Sequence, residues 1–182
     1  MKIVETGFRG LIVIKPTIHT DTRGYFFESY NQSELQEAGI RFSPFQDNES
    51  KSIKGVIRGL HYQLNPYPQA KLIRVVLGKI FDIALDIRRD SLTFGKWFGI
   101  ELDSENKDQL LIPHGFAHGF SVLSEIAVIQ YKCDSFYNAQ YERGININDP
   151  ALDIYWKLGS TAPVISEKDL AQPNMKDAEI NF

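Results

Sequence analysis

Short runs of apolar residues, broken by turn residues at intervals of roughly ten positions, dominate the chain and match the strand spacing of a β-sandwich or barrel. The runs are LIVIKP (11–16), KLIRVVL (71–77), KIFDIALDIR (79–88), WFGIEL (97–102), DQLLIP (108–113), GFSVL (119–123) and IAVIQYK (126–132). The pattern therefore predicts a mainly β chain, folded as a sandwich or barrel.

The run KIFDIALDIR alternates most clearly. Its apolar side is formed by Phe81, Ile83, Leu85 and Ile87, and its other side by Asp82, Ala84 and Asp86. Because successive strand side chains point to opposite faces, we expect one face to pack and the other to be partly polar. Gly78 and Lys79 precede this run and predict a tight hairpin, since glycine reaches the positive φ that such turns require.

Two short segments carry helix-start signals. SELQ (33–36) fits a capping box, with Gly39 placed to end the helix, and SEKD (166–169) fits the same signature. No internal repeat, low-complexity tract or linker interrupts the chain, so we expect a single domain over residues 1–182. The closing stretch AQPNMKDAEINF predicts an irregular tail from about residue 171, laid over the barrel or a neighbouring molecule.

Composition and charge exclude several classes of function. The 182 residues are 43% hydrophobic and 12% aromatic, enough for one substantial core. The formal charge of -3 leaves no general basic field for nucleic acid, although a few placed cations are sufficient to bind a small anionic ligand. No apolar stretch is long enough to span a bilayer. A single cysteine, Cys133, excludes an internal disulfide, and the charged opening MKIVETGFRG is unlike a signal peptide, so we expect a cytoplasmic protein.

The stretch GVIRGLHYQ (55–63) begins as an apolar strand and then admits Arg58 and His61. His61 and Gln63 share one face of a strand, whereas Arg58, at odd spacing, faces the other way. Glycine inside a strand often marks a bulge, and a bulge at Gly59 brings Arg58 and His61 to the same side. The alternative is a hydrogen-bonded core histidine beside an arginine that extends to the surface.

The spacing around His61 resembles the cupin superfamily. The matching positions are Gly55, five residues, His61-x-Gln63, then Lys71, six residues, Gly78, and finally Pro113-x-Gly115-x-x-His118. Metal-binding cupins have a second histidine and a carboxylate where this chain has Gln63 and Lys71. A protonated lysine has no lone pair for a metal and repels a divalent cation. His61 and His118 alone are fewer ligands than a catalytic metal site usually has, so we expect no metal and no other cofactor.

A lysine beside a histidine suits chemistry that develops negative charge on oxygen. Lys71 is a candidate to stabilise an enolate, and His61 is a candidate general base. Spacing does not choose among the three aspartates that are candidates to orient the histidine: Asp82, Asp86 and Asp169. Tyr131, at the end of an apolar strand, is the first candidate acid and Tyr137 the second, although strand tyrosines more often serve packing.

A third polar group lies nearer the N-terminus. Arg23 in DTRGYFFE has the planar donors that grip a phosphate, while Glu28 and the amides of Gln46 and Asn48 suit a base edge or sugar hydroxyls. The alternative is a polar turn that opens an edge strand.

Seven segments, in the same order, resemble the dTDP-4-dehydrorhamnose 3,5-epimerase family from about residue 3 to about residue 170. They are DTRGYFFESY, QDNES, GVIRGLHYQ, KLIRVVLGKIFDIALDIR, IPHGFAHGF, YKCDSFY and SEKD. The resemblance implies a cupin-type jelly-roll barrel or sandwich with a few short helices, and a metal-independent homodimer. It also implies an isomerase of deoxysugar or dTDP-rhamnose biosynthesis that inverts the two carbons flanking the keto group of a dTDP-linked 4-keto-6-deoxyhexose.

The resemblance implies roles for individual residues as well. His61 matches the base, Asp169 its partner, Tyr131 the proton donor and Lys71 the group beside the keto oxygen. The positions that match contacts to the nucleotide sugar are Arg23, Glu28, Gln46, Asp47, Asn48, Arg58, His118, Glu142 and Lys168. The choice of Asp169, and the inclusion of Glu142 and Lys168, rest on the resemblance alone.

The chain also departs from the family pattern. His19 stands where members often have an aromatic ring near the nucleobase, Cys133 begins a stretch that is often Thr-rich, and Ala139 replaces a frequent proline. These departures bear on nucleotide preference rather than on the chemistry. The open alternatives are an epimerase of a single carbon, a metal-dependent cupin oxygenase or isomerase, and a non-catalytic module that binds sugar nucleotides.

Overall fold

The computed structural model describes residues 1–182, and antiparallel strands make up most of its regular structure. The strands are β1 (Lys2–Glu5), β2 (Ile12–Lys15), β3 (His19–Asp21), β4 (Gly24–Phe26), β5 (Gln46–Ile53), β6 (Ile57–Gln63), β7 (Lys71–Leu77), β8 (Lys79–Asp86), β9 (Trp97–Asp103), β10 (Gln109–Ile112), β11 (Phe116–Val122), β12 (Ile126–Cys133) and β13 (Glu142–Gly144). The helices are α1 (Gln32–Glu37), α2 (Glu167–Leu170) and a 3₁₀ turn over Met175–Asp177. No helix among them has the length and apolar character to cross a membrane.

Two sheets face each other across the core. One has the strand order β1-β2-β10-β7-β12-β5 and the other β13-β6-β11-β8-β9, while β3 and β4 form a separate hairpin. The pairings within both sheets are antiparallel. Many neighbouring strands are distant in sequence, as in Greek-key connections. The predicted mainly β sandwich is therefore confirmed, and each of the seven apolar runs forms a strand.

The space between the sheets is filled by aliphatic and aromatic side chains from both. The six-stranded sheet contributes Val13, Ile73, Val75, Leu110, Ile112, Ala127 and Ile129, and the five-stranded sheet contributes Ile80, Ala84, Leu102, Phe116, Phe120 and Val122. Burying one large aliphatic side chain contributes about 1.5–3 kcal/mol, so this layer is a major source of stability.

β8 is buried on both faces, because the C-terminal part of the chain covers the outer side of its sheet. The apolar face predicted from the alternation packs outward against Ile145, Trp156 and Ile180. The opposite face, with Asp82 and Asp86, points between the sheets and is fully buried. The predicted irregular tail thus lies over its own barrel, where the Tyr62 hydroxyl also donates to a tail carbonyl, that of Glu179, at 2.6 Å.

Helix α1 packs on the outer face of the six-stranded sheet through Leu35. Its N-cap is Asn31, whose side-chain oxygen accepts hydrogen bonds from the backbone N–H groups of Ser33 and Glu34 at 3.0 and 3.3 Å. The capping box predicted to start at Ser33 is therefore wrong by two residues; asparagine is an equally good cap. At α2 the predicted N-cap is confirmed, because the Ser166 hydroxyl accepts from the third helical N–H at 3.1 Å.

The hairpin predicted at Gly78 and Lys79 is wrong. β7 and β8 belong to different sheets, so the chain crosses here from one wall of the sandwich to the other. Gly78 has a φ of +81°, and a Cβ at this position would collide with the carbonyl oxygen of Ile126. Glycine is required for its positive φ, as expected, but at a corner between sheets rather than in a hairpin.

Asp86, one of the three aspartates considered as a partner for the base, anchors the loop after β8. Its carboxylate accepts hydrogen bonds from Arg88 Nε at 2.9 Å and from the Ser91 hydroxyl at 2.6 Å, and Thr93 adds a third. Burial raises the pKa of Asp86, but these hydrogen bonds outweigh burial and lower the pKa to about 2. Asp86 is therefore a structural anion committed to this loop.

Replacing Asp86 with asparagine is expected to lower the free energy of unfolding by about 2 kcal/mol at neutral pH, given an unfolded-state pKa of about 3.9. Because the folded-state pKa is depressed, this stabilisation is complete above about pH 4 and is lost as the pH falls through the folded-state pKa. Urea unfolding of Asp86→Asn at neutral and acid pH measures the effect. Asp90→Asn, at an exposed position of the same loop, is the control. Equal stability losses in the two variants would contradict the assignment.

Candidate active site

A cleft of about 250 Å³ opens between the two sheets at one end of the sandwich. The residues that line it are Gln46, Asn48, His61, Tyr62, Gln63, Gln69, Lys71, Tyr131, Tyr137 and Glu142. The first residues of β5, β7 and β13 and the last residues of β6 and β12 meet here. The structure thus brings together six of the predicted site residues, namely Gln46, Asn48, His61, Lys71, Tyr131 and Glu142.

The register of the six-stranded sheet forms one wall of this cleft. Tyr131 of β12 pairs with Asn48 of β5, and Cys133 pairs with Gln46 on one side and Lys71 on the other. Since residues two apart on a strand share a face, these side chains are directed to the same side of the sheet. This wall therefore carries four polar groups close together: the Tyr131 phenol, the amides of Gln46 and Asn48, and the Lys71 amine.

β6 forms the opposite wall, and its irregular register turns the side chains of Arg58 and His61 to the same side. His61 pairs with His118 of β11, while Arg58 pairs with the residue two further along β11, so β6 has one extra residue between these pairs. The extra residue lies at Gly59, which has a φ of +134° and touches the β11 backbone too closely for a Cβ. The predicted bulge is confirmed, and Arg58 Nε donates to the Ser52 hydroxyl on the facing sheet at 3.0 Å.

His61 is paired with Asp169, which α2 brings against β6. The distance from His61 Nε2 to Asp169 Oδ1 is 2.7 Å, and Asp169 is almost fully buried. Burial raises the pKa of this carboxyl, but hydrogen bonds from His61, the Gly59 backbone and Ser166 outweigh burial and lower the pKa. The ionised carboxylate accepts a proton-bearing Nε2, which leaves Nδ1 with its lone pair as the basic nitrogen.

His118 has a different partner. Its Nε2 lies 2.9 Å from Oδ2 of Asp82, and both side chains are nearly buried. With Asp86 committed to Arg88, each of the three candidate aspartates has its own cation or imidazole. Geometry, rather than spacing, thus selects Asp169 as the partner of His61.

The pKa values of Lys71 and Tyr131 are shifted in opposite directions from those of the same groups at a protein surface. Burial lowers the pKa of Lys71, although the Cys133 thiol and the carboxylates of Asp82 and Glu142 act to raise it. Burial also raises the pKa of Tyr131, with the charge of Arg58 acting to lower it. The phenol therefore keeps its proton at neutral pH, while the acidic groups beside Lys71 act against burial and favour its charged form.

Glu142 ties three elements together at the mouth of the cleft. Its Oε2 accepts from Lys168 Nζ of α2 at 2.6 Å and from the Tyr137 hydroxyl at 2.9 Å. Burial raises the pKa of Glu142, but these two hydrogen bonds outweigh burial and lower the pKa. The Tyr137 hydroxyl is thus engaged by a carboxylate, which leaves Tyr131 as the better placed of the two candidate acids.

Of the predicted binding residues, Gln46, Asn48 and Glu142 line the cleft, and Arg58, His118 and Lys168 lie next to its lining residues without lining it. The remaining three lie elsewhere. Strand alternation puts Asp47 on the opposite face of β5, where Lys132 Nζ contacts it at 2.8 Å. Arg23 pairs with Asp21 at 2.6 Å in the β3–β4 hairpin, and its side chain is 88% exposed. Glu28 lines a second cavity on the outer face of the six-stranded sheet.

No group of three His, Cys, Asp or Glu side chains is arranged to hold a metal ion. At the two positions where metal-binding cupins have further ligands, this chain has the amine of Lys71 and the Gln63 amide, and the amide is hydrogen-bonded to the protein backbone. Sequence reasoning missed Gln69 as a lining residue. It lies in the irregular segment between β6 and β7, where no periodicity indicates which way a side chain points.

Comparison with known proteins connects this cleft to a family. A family model described as dTDP-4-dehydrorhamnose 3,5-epimerase matches residues 5–177. The chain belongs to that family. A curated dTDP-4-dehydrorhamnose 3,5-epimerase of Shigella flexneri is 48% identical to it over 180 residues, which cover 98% of each chain.

Solved structures of dTDP-4-dehydrorhamnose 3,5-epimerases share the fold. The crystal structure of the enzyme from Elizabethkingia anophelis has a TM-score of 0.93 and 48% identity, covering 97% of both chains. A dTDP-6-deoxy-D-glucose-3,5-epimerase from Legionella pneumophila, in complex with dTDP-4-keto-L-rhamnose, has a TM-score of 0.92 and 45% identity, covering 97% of this chain and 93% of that one. The predicted family and its cupin-type jelly-roll fold are both confirmed.

Lys71 is expected to lose its proton at a lower pH than an ordinary lysine, because burial disfavours the charged form. NMR of the protein with ¹³C-labelled lysine side chains, with Lys71→Met to assign the signal, follows this titration directly. The exposed lysines of the same sample are the internal reference. A midpoint for Lys71 at or above 10.5 would contradict the description of its surroundings.

Proposed function

We propose that the protein is a cytoplasmic epimerase of deoxysugar or dTDP-rhamnose biosynthesis, which inverts the two carbons flanking the keto group of a dTDP-linked 4-keto-6-deoxyhexose. The observation that carries this proposal is the His61–Asp169 pair in one cleft with Lys71 and Tyr131. Membership of the dTDP-4-dehydrorhamnose 3,5-epimerase family supports the substrate class.

The first step is removal of a proton from a carbon next to the keto group. His61 takes this proton on Nδ1, while Asp169, bonded at Nε2, stabilises the imidazolium that forms. The electron pair of the broken C–H bond moves onto the keto oxygen. Lys71 then stabilises the resulting enolate, because a charge already held in place needs no reorganisation during the reaction.

The second step returns a proton to the opposite face of the same carbon. Tyr131 lies on the wall facing β6, and its phenol is protonated at neutral pH, as its raised pKa requires. Each carbon thus loses one proton to His61 and gains one from Tyr131, with no net oxidation and no co-reactant. His61 then releases its proton to solvent and Tyr131 regains one from solvent, after which the same two steps at the second flanking carbon complete the double inversion.

The remaining polar groups suit the nucleotide sugar. Amides of Gln46 and Asn48 line the cleft beside Lys71. His118 is the cross-strand neighbour of His61 in the five-stranded sheet. Arg58 and Lys168 supply positive charge beside the reacting groups, where a diphosphate requires it. Glu142 holds Lys168 and is the acceptor among these groups.

Incubation of the protein with dTDP-4-keto-6-deoxyglucose in heavy water, followed by NMR, tests this function. We expect deuterium at both flanking carbons and a product inverted at both. Deuterium and inversion at one carbon would instead identify a single-carbon epimerase. No exchange at either carbon would overturn the proposal in favour of a non-catalytic binding module, and activity that depends on bound iron or manganese would favour a metal-dependent cupin.

Tyr131→Phe is expected to keep solvent exchange at the flanking carbons but to lose inversion, since it removes the acid and leaves His61 and Lys71 intact. His61→Ala should lose both, with turnover lower by about 10²–10⁴-fold and the fold retained. NMR of the product in heavy water measures exchange and stereochemistry together. Normal inversion by Tyr131→Phe would contradict its role, and near-normal turnover by His61→Ala would contradict the choice of base.

The proposal includes a homodimer in which each cleft is completed by the partner subunit. Arg23 and Glu28 match positions of the family that contact the nucleotide sugar, yet in this chain they lie outside the cleft. Their hairpin also exposes two large aromatic side chains, Tyr25 at 60% and Phe26 at 67%. A second copy that docks through this hairpin would bury the aromatic surface and bring Arg23 to a phosphate.

Mixing two inactive variants tests this arrangement. Arg23→Ala and His61→Ala are each expected to be impaired alone. If Arg23 serves the partner's cleft, each mixed dimer has one intact site, and random exchange restores about a quarter of wild-type activity. No recovery beyond that of the Arg23→Ala protein alone would indicate that Arg23 acts within its own subunit or not at all.

A further inference from the structure

The loop that follows β12 has an unusual form of support. No backbone-to-backbone hydrogen bond involves residues 135–137, although these residues border the cleft. Their polar backbone groups are instead bound by the side-chain amides of three glutamines, from three separate segments of the chain: Gln46, Gln63 and Gln69. We call these three side chains the glutamine cradle.

Gln63 is the centre of the cradle. It is only 4% exposed, and its amide oxygen accepts from the Asn138 backbone N–H at 2.7 Å. Its amide nitrogen donates to the carbonyls of Tyr67 at 2.6 Å and Phe136 at 3.3 Å. Because one buried group must both donate and accept here, a carboxylate, a thioether or an aliphatic chain of similar size would leave a backbone group unpaired.

The other two glutamines bind the residues on either side. Gln69 Nε2 donates to the Ser135 carbonyl at 2.7 Å, and Gln46 Oε1 accepts from the Tyr137 backbone N–H at 3.0 Å. The cradle thus contacts four consecutive residues, 135–138. Gln46 also donates to Asn48 at 2.9 Å, so the loop is connected to the amides on the cleft wall.

The side chain that this loop presents to the cleft is Tyr137. Its hydroxyl donates to Glu142 at 2.9 Å, and both residues line the cleft. Tyr137 is 53% exposed, whereas Tyr131 is half-buried further inside. The loop therefore borders the mouth of the cleft.

We propose that Gln63 and Gln69 are positioning residues that set the affinity for the nucleotide sugar by fixing the 135–138 loop, and with it Tyr137, at the mouth of the cleft. This inference rests on the proposed function. At the position where metal-binding cupins have a second histidine ligand, Gln63 therefore has a role of its own. It acts through the loop and not on the reacting atoms, which His61, Lys71 and Tyr131 contact.

Gln63→Met and Gln69→Met test the proposal, since methionine keeps the side-chain length and removes the amide. Each is expected to raise KM on the order of tenfold, as the loss of one or two hydrogen bonds to the 135–138 loop predicts, with kcat within about twofold of wild type. Gln130→Met is the matched control, because the Gln130 amide bonds Arg74 and Glu49 away from the cleft, and its KM should not change. Equal KM values in all four proteins would overturn the proposal.

A second measurement separates positioning from general destabilisation. If Gln63 and Gln69 act through Tyr137, adding either substitution to Tyr137→Ala should raise KM no further than Tyr137→Ala does alone. Multiplied effects on KM, or a fall in kcat that follows thermal stability with KM unchanged, would show a merely structural role. Should Gln63→Met fail to fold, Gln69→Met, which loses a single hydrogen bond, decides the question.

The wild-type protein in the same assay distinguishes failure of the proposed function from failure of the role proposed for the glutamine cradle. Failure of the wild type to turn over the dTDP-linked ketosugar would remove the proposed function. An active wild type whose KM is unaffected by Gln63→Met and Gln69→Met would remove only the role of the cradle.

Discussion

The hydrogen bond between His61 and Asp169 joins residues 108 positions apart, and the rest of the site depends on it. Asp169 is charged and almost fully buried, a state that is costly unless the carboxylate is bonded on several sides. Here the bonds come from an imidazole, the backbone at the β6 bulge and the α2 cap. The C-terminal segment must therefore return across the five-stranded sheet, which explains why so much of β8 and β6 is covered by it.

The two sheets divide the chemistry between them. The five-stranded sheet supplies His61 on β6, and the six-stranded sheet supplies Lys71 on β7 and Tyr131 on β12. Since packed sheets lie about 10 Å apart, a ligand between them would lie with His61 on one side and with Lys71 and Tyr131 on the other. In the proposed mechanism, this arrangement puts the base and the acid on opposite faces of the carbon that is inverted.

Much of this was predictable from local pattern, and the errors have a common physical cause. Alternation identified the strands, and the glycine in RGLH correctly indicated the bulge that turns Arg58 and His61 to one side. The sequence around Gly78 predicts a hairpin because two consecutive strand-like runs have the same pattern in two different cases. The strands can pair in one sheet, or the chain can cross from one sheet to the other between them, as it does here. The sequence also leaves the aspartate that pairs with His61 undecided, because only the tertiary fold brings α2 against β6. No sequence pattern predicts the glutamine cradle, because its three side chains come from separate segments of the chain.

In the proposed mechanism, His61 and Asp169 act as one unit in removing the proton. The most direct test is a double-mutant cycle on the rate of solvent-deuterium incorporation into the substrate, using His61→Ala, Asp169→Asn and the combined variant. The account predicts that each single substitution slows exchange by about 10²–10⁴-fold, and that the double variant is no slower than His61→Ala alone. Losses that multiply, or near-normal exchange in Asp169→Asn, would contradict it.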